Sequence, residues 1–157
     1  MRKGRGALQK TITKYFGEME YQDDSVVVFP EGLLGFEEYR RFLLIQRGGA
    51  RSLAFLQSLD NTSLCFPVMP AAQVDAKFEL RLDAEHRKLL GLAGEGEDKT
   101  LALAVVSFDE VEPPTANLLG PVVIHVAAKR GAQVVQFDSG YLSRHPVPGW
   151  EEVLSCS

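Results

Sequence analysis

The feature that most constrains this chain is a series of short apolar segments, rich in β-branched residues, that turn-forming clusters separate. Each segment is about four to eight residues long, which suits a strand and is too short for a buried helix. The segments are Val26–Phe29, Phe42–Ile45, Leu53–Leu56, Leu64–Val68, Phe78–Leu82, Leu101–Phe108, Val122–Val126 and Val134–Phe137. Because open sheet edges invite aggregation, we predict an all-β, mainly antiparallel single domain that closes as a compact, flattened β-barrel-like sheet.

The pattern within the segments distinguishes two kinds of strand. In Phe78–Leu82 apolar and charged residues alternate, which predicts a strand with one wet face. In contrast, Leu101–Phe108 and Val122–Val126 are apolar on both faces. We therefore predict that these two are central strands, covered by the core on one side and by a helix, a loop or a partner on the other.

One segment has the pattern of a short helix. Asp83 is a good N-cap, the residues from Ala84 to Leu90 follow it, and Gly91 suits the position just after the helix end. A second helical turn over Glu37–Phe42 is left open by the spacing of its aromatic residues. We predict a β-domain with one short helix.

The stretch from Thr115 to Phe137 predicts a β-hairpin. Two β-branched runs flank Lys129, Arg130 and Gly131, and Gly131 can supply the positive φ that such a connection needs. Pro121 has no backbone donor and so suits the first residue of a strand. The first run therefore starts near Pro121, and the connection lies at Lys129, Arg130 and Gly131.

Charge is distributed unevenly along the chain. Four basic residues lie in the first ten positions, which leaves 13 basic and 21 acidic residues in the remainder, a net charge of −8. We predict a disordered basic tail over residues 1–12, a folded domain over 13–148 and a C-terminal tail over 149–157. An acidic body repels phosphate backbones and favours a basic protein partner.

The residue types that carry catalysis are present but scattered. His86, His125 and His145 fall in a helix, a strand and a loop, and no serine lies in a strained nucleophile turn. Cys65 lies in an apolar run, which indicates a buried reduced thiol, and with Cys156 it does not make a disulfide framework. We predict no enzyme, no catalytic residues, no metal site and no cofactor.

Targeting signals are also lacking from the sequence pattern. The first ten residues have no continuous apolar core of the kind that a secretory signal needs. No window approaches the ~20 apolar residues of a membrane span. These observations predict a soluble, cytoplasmic protein that does not contact a membrane.

The motif TANLLGPVVIHV, with its following basic turn and QVV, resembles the FliW family of flagellar assembly factors. The resemblance extends to FPEGLLGFEEYRRFLLI, where Leu34 replaces a usual proline, to LAFLQSLDNTSLCFPV and to YLSRHPV. It covers about Tyr15 to Val147. The chain departs from the family in its aromatic-poor Met69–Ala72 segment and in Phe78, where tyrosine is common.

The resemblance implies a compact β-barrel and a function in partner binding. Members of the family bind flagellin in the cytoplasm and, in exchange, bind the RNA-binding translational regulator CsrA. We expect a monomer that binds these two proteins and not nucleic acid directly. A small β-barrel RNA-binding module, which would use the basic tail and exposed aromatic residues, is the alternative.

Two groups of residues are predicted to contact partners. Aromatic or charged residues in turn-rich settings offer an exposed rim, and an acidic group after a central strand offers negative charge to a basic regulator. The rim residues are Phe36, Glu37, Tyr39 and Tyr141, and the acidic residues are Asp109, Glu110 and Glu112. Four phenylalanines in strand segments, Phe55, Phe66, Phe78 and Phe108, are predicted to build the core.

Overall fold

A computed structural model describes residues 6–46, 53–92 and 99–150. Its strands are β1 (Leu8–Thr13), β2 (Gly17–Gln22), β3 (Val27–Val28), β4 (Arg41–Gln46), β5 (Ala54–Ser58), β6 (Cys65–Pro70), β7 (Thr100–Ser107), β8 (Thr115–His125), β9 (Arg130–Gln133) and β10 (His145–Pro146). Its helices are α1 (Ala71–Val74) and α2 (Ala84–Leu89), and Asp23–Ser25 form a 3₁₀ turn.

Seven of the strands in the described ranges close into a barrel. The order is β3-β4-β5-β6-β7-β8-β9, and β9 returns to β3, where Val28 pairs with Arg130 in the one parallel step. The other neighbours pair antiparallel. Strand β10 pairs with the first two residues of β8 and so extends the sheet there. The predicted barrel-like, mainly antiparallel fold is therefore confirmed.

The inside of the barrel is filled by side chains from every strand of the sheet except β9 and β10. Phe29 and Phe42 are fully buried and meet edge to face, with ring centres 5.1 Å apart. The remaining members are Val27, Leu33, Ala54, Leu56, Val68, Leu103, Val122 and Ile124. A β-carbon on Gly131 would lie 2.4 Å from the Phe29 ring, so only glycine lets β9 approach this core.

The central strands are covered on both sides, as their sequences predicted. On β8, Val122 and Ile124 point into the barrel, whereas Val123 points outward into a second cluster with Leu90, beside helix α2. On β7, Ala104 and Val106 point outward into a third cluster that helix α1 completes. Two short helices therefore cover the sheet's outer face at the end of β6 and along β7, β8 and β9.

The predicted hairpin of β8 and β9 is present, but the start of its first strand and the position of its turn were predicted wrongly. Strand β8 begins at Thr115, and Pro121 lies inside it, where the pairing register with β7 shifts and a backbone donor is not required. The turn spans 126–129, and its positive φ of 56° falls on Lys129. Gly131 lies in β9, and its role is close packing against Phe29.

The predicted disordered tail over residues 1–12 is wrong from Leu8 onward. Strand β1 pairs antiparallel with β2 over the whole of its length, from Leu8 opposite Gln22 to Thr13 opposite Gly17. The basic residues led to the prediction of a tail, although alternate residues of this strand are exposed and partly or fully buried. Residues 1–5 and 151–157 of the two predicted tails lie outside the described residues.

The predicted strand Phe78–Leu82 is not a strand. Its side chains do alternate, with Phe78, Leu80 and Leu82 half-buried, but side chains satisfy its backbone in place of a neighbouring strand. The Gln136 amide exchanges two hydrogen bonds with the backbone of Arg81, at 2.9 and 3.1 Å. Alternation therefore predicted the buried face correctly and the backbone pairing incorrectly.

Helix α2 forms as predicted. Asp83 accepts a hydrogen bond from the His86 backbone N–H at 2.8 Å, and Gly91 follows the helix with a φ of 75°. The expectation of one helix was wrong, because Ala71–Val74 also form a helical turn. The open alternative of a helical turn over Glu37–Phe42 is not realised, since β4 begins at Arg41.

Candidate functional site

The turn before β4 carries three of the predicted contact residues, and two of them are partly used inside the fold. The Phe36 and Tyr39 rings stack with centres 6.5 Å apart, and Phe36 meets Phe66 edge to face at 5.4 Å. Both rings are half-buried and pack against the barrel core. Leu34, two residues earlier, is 56% exposed. This turn therefore offers part of its aromatic surface and one free aliphatic side chain.

Glu37, the third residue of this group, is exposed and locally bonded. Its carboxylate accepts a hydrogen bond from the Gly35 backbone N–H at 3.0 Å, and this bond lowers the pKa of Glu37. Gly32 has a φ of 66° and lies so close to Glu37 that a β-carbon would meet its backbone at 2.6 Å. The turn is thus a fixed shape that holds one ionised carboxylate at the surface.

Tyr141 has a structural task in the fold. Its hydroxyl accepts a hydrogen bond from the Glu79 backbone N–H at 2.9 Å, and its ring lies 4.9 Å from that of Phe78. The side chain is half-buried in the cluster beside helix α1. Tyr141 therefore anchors the segment that leads into helix α2, and its role in partner contact stays a prediction.

The acidic residues form an exposed loop directly after β7. The Asp109 carboxylate accepts a hydrogen bond from the Val111 backbone N–H at 2.8 Å, and this bond, with one from the Glu112 backbone, lowers the pKa of Asp109. Arg144 contributes a smaller attraction. Val111 itself is 88% exposed. The loop therefore presents the ionised Asp109 carboxylate, with Glu110 and Glu112 beside it, next to an exposed apolar side chain.

An apolar groove that the sequence did not reveal adjoins this loop. It has a volume of about 680 Å³, and its lining comes from the β1–β2 turn, from β5 and the residue before it, from β6 and from the residue after β7. The lining residues are Tyr15, Phe16, Leu53, Phe55, Cys65, Pro67 and Phe108. The polar groups among these side chains are the Tyr15 hydroxyl and the Cys65 thiol.

The floor of the groove is the outer face of β5 and β6. Phe55 pairs across the two strands with Pro67. Phe16 stands on Phe55 edge to face, with ring centres 5.6 Å apart, and so forms one wall. Tyr15 beside it is 60% exposed, and the Lys14 ammonium lies 5.4 Å from its ring centre. The tip of the β1–β2 hairpin therefore covers this face of the sheet only in part.

The hairpin tip rests on the β5–β6 turn, which hydrogen bonds make rigid. The Lys14 backbone N–H donates to the Thr62 carbonyl at 3.0 Å. Beneath it, the fully buried Gln57 donates to the carbonyls of Ser58 and Leu64 at 2.9 and 3.2 Å. A fixed platform thus sets the position of the Tyr15–Phe16 wall relative to the floor.

Asp60 ties the same turn to β4. Its carboxylate accepts hydrogen bonds from the backbone N–H groups of Arg40 and Arg41 and from the Arg41 guanidinium, at 2.8 to 3.0 Å. Burial by itself would raise the pKa of Asp60, but these bonds together lower it. The platform therefore contains an ionised carboxylate.

The prediction that Phe55 and Phe108 lie in the core is wrong. Phe55 is half-buried on the outer face, and Phe108 is 47% exposed. Phe66 and Phe78 pack against buried clusters, as predicted. A strand segment that is apolar on both faces cannot reveal which face stays open. The one local sign in the sequence that β6 is not covered along its whole length is Pro67, which lacks a backbone N–H. The pairing of β6 with β7 begins only after it, at Val68.

The described residues offer little reactive chemistry. No group of three His, Cys, Asp or Glu side chains among them could hold a metal ion. His125 is buried, and its Nδ1 lies 2.8 Å from the Leu90 carbonyl. Burial raises the pKa of the Cys65 thiol to about 11, so this thiol is neutral near pH 7. Across the described ranges, the helices are all too short to span a bilayer.

Comparison with known families gives a match over most of the chain. The model of the FliW protein family matches residues 10–147. Among curated proteins, the flagellar assembly factor FliW of Syntrophotalea carbinolica is 34% identical over 141 residues, which cover 90% of this chain and 99% of that protein. The flagellar assembly factor FliW of Azoarcus sp. is 36% identical over 132 residues, which cover 80% and 90%.

A solved structure has the same fold. The crystal structure of a flagellar assembly factor FliW superposes with a TM-score of 0.81 at 28% sequence identity. The match covers 88% of this chain and 96% of the solved chain. The fold of this chain is therefore the fold of that solved protein over nearly its whole length.

Proposed function

This chain belongs to the FliW family of flagellar assembly factors, and from that premise we propose that it is a cytoplasmic partner switch between flagellin and CsrA. Abundant flagellin occupies the protein and leaves CsrA free to repress flagellin messenger RNA. When flagellin is exported, the protein captures CsrA. The protein acts as a monomer and does not bind nucleic acid directly.

The observation that carries this proposal is the family match over residues 10–147, which agrees with the resemblance in four separate motifs. Two surface features support a binding function. The groove beside the hairpin tip is apolar and open, and contiguous exposed apolar surface on a small protein is typical of interaction sites. The loop of Asp109, Glu110 and Glu112 offers negative charge to a basic, RNA-binding regulator.

A switch of this kind needs two affinities of similar size. A tenfold difference in dissociation constant corresponds to about 1.4 kcal/mol. If one complex were more stable by several times this amount, changes in flagellin concentration would no longer exchange the partners. We therefore expect the two dissociation constants to differ by less than about a hundredfold.

Competition between purified proteins tests the switch. Immobilised protein should bind flagellin and CsrA separately, and added flagellin should release bound CsrA in a concentration-dependent way. A complex that contains all three proteins, or failure of either partner to bind, would contradict the proposal. An RNA shift assay with full-length protein should show no complex at concentrations that saturate CsrA binding.

Charge reversal tests the acidic loop as the place where CsrA arrives. Replacing Glu110 and Glu112 by lysine should lower the association rate of CsrA at least about tenfold at low salt, because steering by opposite charge controls that rate. The matched control is Glu85→Lys on helix α2, an exposed carboxylate outside this loop. Equal association rates for the loop variant and the control would remove the loop from the CsrA site.

A further inference from the structure

We propose that the apolar groove between the β1–β2 hairpin tip and the outer face of β5–β6 is the docking site for an amphipathic α-helix that carries a basic side chain beside its apolar face. The inference rests on the proposed function, because it assigns this helix to one of the two partners. It goes beyond that function in naming the surface, the form of the ligand and the reason why the partners exclude one another.

The composition of the groove argues against a small polar ligand. Pockets for such ligands combine an apolar lining with a few polar groups that fix the orientation. Here the lining side chains supply one exposed hydroxyl, on Tyr15, and one thiol, on Cys65, whose raised pKa keeps it uncharged. A groove with so few polar groups selects its ligand by shape and by the apolar area that the ligand can bury. A segment of another protein provides such an area.

The backbone around the groove argues against an added β-strand. A strand can join a sheet only at a free edge, and β5 is paired on both of its sides. On β6, Pro67 has no N–H to donate to a new neighbour. The groove therefore favours a ligand that satisfies its own backbone, which is the defining property of a helix. Such helices present apolar side chains at i, i+3, i+4 and i+7.

Charge at the rim specifies the flank of the helix. Phe108 forms one wall of the groove, and the acidic loop follows it directly with Asp109, Glu110 and Glu112. A basic side chain beside the apolar face of the helix would meet these carboxylates. A second copy of this chain is disfavoured as the occupant, because a symmetric contact would bring two acidic loops together.

The shared loop explains why the two complexes exclude one another. Phe108 faces the groove, and the carboxylates after it lie on the surface that we assign to CsrA. A helix in the groove lies against this loop and takes up the space and the charge that CsrA needs. Under the proposed function the helix comes from flagellin, since CsrA is the partner assigned to the acidic loop.

Footprinting of Cys65 tests occupancy of the groove directly. Replacing Cys156 by serine leaves Cys65 as the single thiol, because the chain has two cysteines. With a pKa of about 11, roughly 1% of this thiol is ionised at pH 9, so alkylation there is slow enough to follow. Saturating monomeric flagellin should lower the alkylation rate at least about tenfold. An unchanged rate in a complex shown to be saturated would overturn the groove as the docking site.

Substitution of exposed wall residues gives an independent test. Phe108→Ser and Tyr15→Ser should each weaken flagellin binding at least about tenfold, because aromatic anchors dominate interface affinity. The matched control is Phe137→Ser, which removes a phenylalanine that is 76% exposed and does not line the groove. Equal affinities for the wall variants and the control would overturn the inference.

The outcomes separate this inference from the proposed function. If wild-type protein does not bind flagellin, the partner switch itself fails. If it binds flagellin but Cys65 is not protected and the wall variants bind normally, the switch stands and the groove assignment falls. Protection of Cys65 together with weaker binding by both wall variants supports the groove.

Discussion

Two parts of the barrel's outer face differ in how completely other elements cover them. Beside helix α2, Leu90 and Val123 are fully buried, and Val134 is 2% exposed. Under the hairpin tip, Phe55 is half-buried and Phe108 is 47% exposed. Both faces are apolar and both are built on paired strands. The difference lies in the covering element, which closes the first face and leaves the second open.

This difference separates apolar residues that serve stability from those that remain for binding. Burial of an apolar side chain stabilises the fold in proportion to the area removed from water. The face beside α2 has already realised that stabilisation in the folded chain. The groove retains apolar area that only a partner can bury, and this area lies between the β5–β6 turn and the acidic loop.

The largest effect should come from the closed face. Leu90→Ala should lower the free energy of unfolding by about 2–5 kcal/mol, because it removes a fully buried side chain and leaves a cavity. Urea denaturation monitored by circular dichroism measures the loss. Leu89→Ala, which truncates the half-buried last residue of α2 next to Leu90, should cost less. Equal losses from both would show that α2 packs less tightly than its contacts indicate.

The sequence predicted the central strands and the helix of the closed face, although it wrongly predicted a strand at Phe78–Leu82, which also packs there. Strands β7 and β8 are apolar on both faces, which requires cover on both sides, and the cap and terminator of helix α2 are legible at Asp83 and Gly91. The strand count and the family motifs pointed to the same barrel. These features are local in sequence, so a pattern of a few residues is enough to predict each of them.

The open face could not be predicted in the same way. The groove joins Tyr15, Phe55 and Phe108, which are far apart in sequence, and its openness depends on where the hairpin tip comes to rest. Strand β1, which leads to the hairpin tip, was not predicted, because its basic residues indicated a disordered tail. The role of Gly131 was predicted wrongly for a similar reason. Glycine is needed there because of the close contact with Phe29, which is distant in sequence, and not because of a positive φ.

A smaller effect should come from the platform beneath the hairpin tip. Asp60→Asn should lower the free energy of unfolding at pH 7 by about 1 kcal/mol, since it weakens charge-assisted bonds to Arg40 and Arg41 in a partly exposed setting. Because the platform positions the Tyr15–Phe16 wall, the variant should also bind flagellin more weakly than wild type. Urea denaturation and a binding titration on the same sample measure both losses.

The pH dependence of this effect has a defined sign. Since folding lowers the pKa of Asp60, its contribution is present above the ordinary value of 3.8 and is lost as pH falls through the folded value. The stability difference between wild type and Asp60→Asn should therefore shrink between about pH 4 and pH 2. A difference that stays constant over this range would assign the loss to altered packing of the amide.

The smallest effect on stability should come from the open groove. Phe108→Ser should change the free energy of unfolding by less than about 1 kcal/mol, because the ring is 47% exposed and leaves no closed cavity. Its predicted loss of flagellin affinity would then arise in a protein as stable as wild type, whereas Leu90→Ala should weaken the fold. Should urea denaturation show that Phe108→Ser costs as much as Leu90→Ala, Phe108 would belong to a closed core, and the two outer faces would not differ in kind.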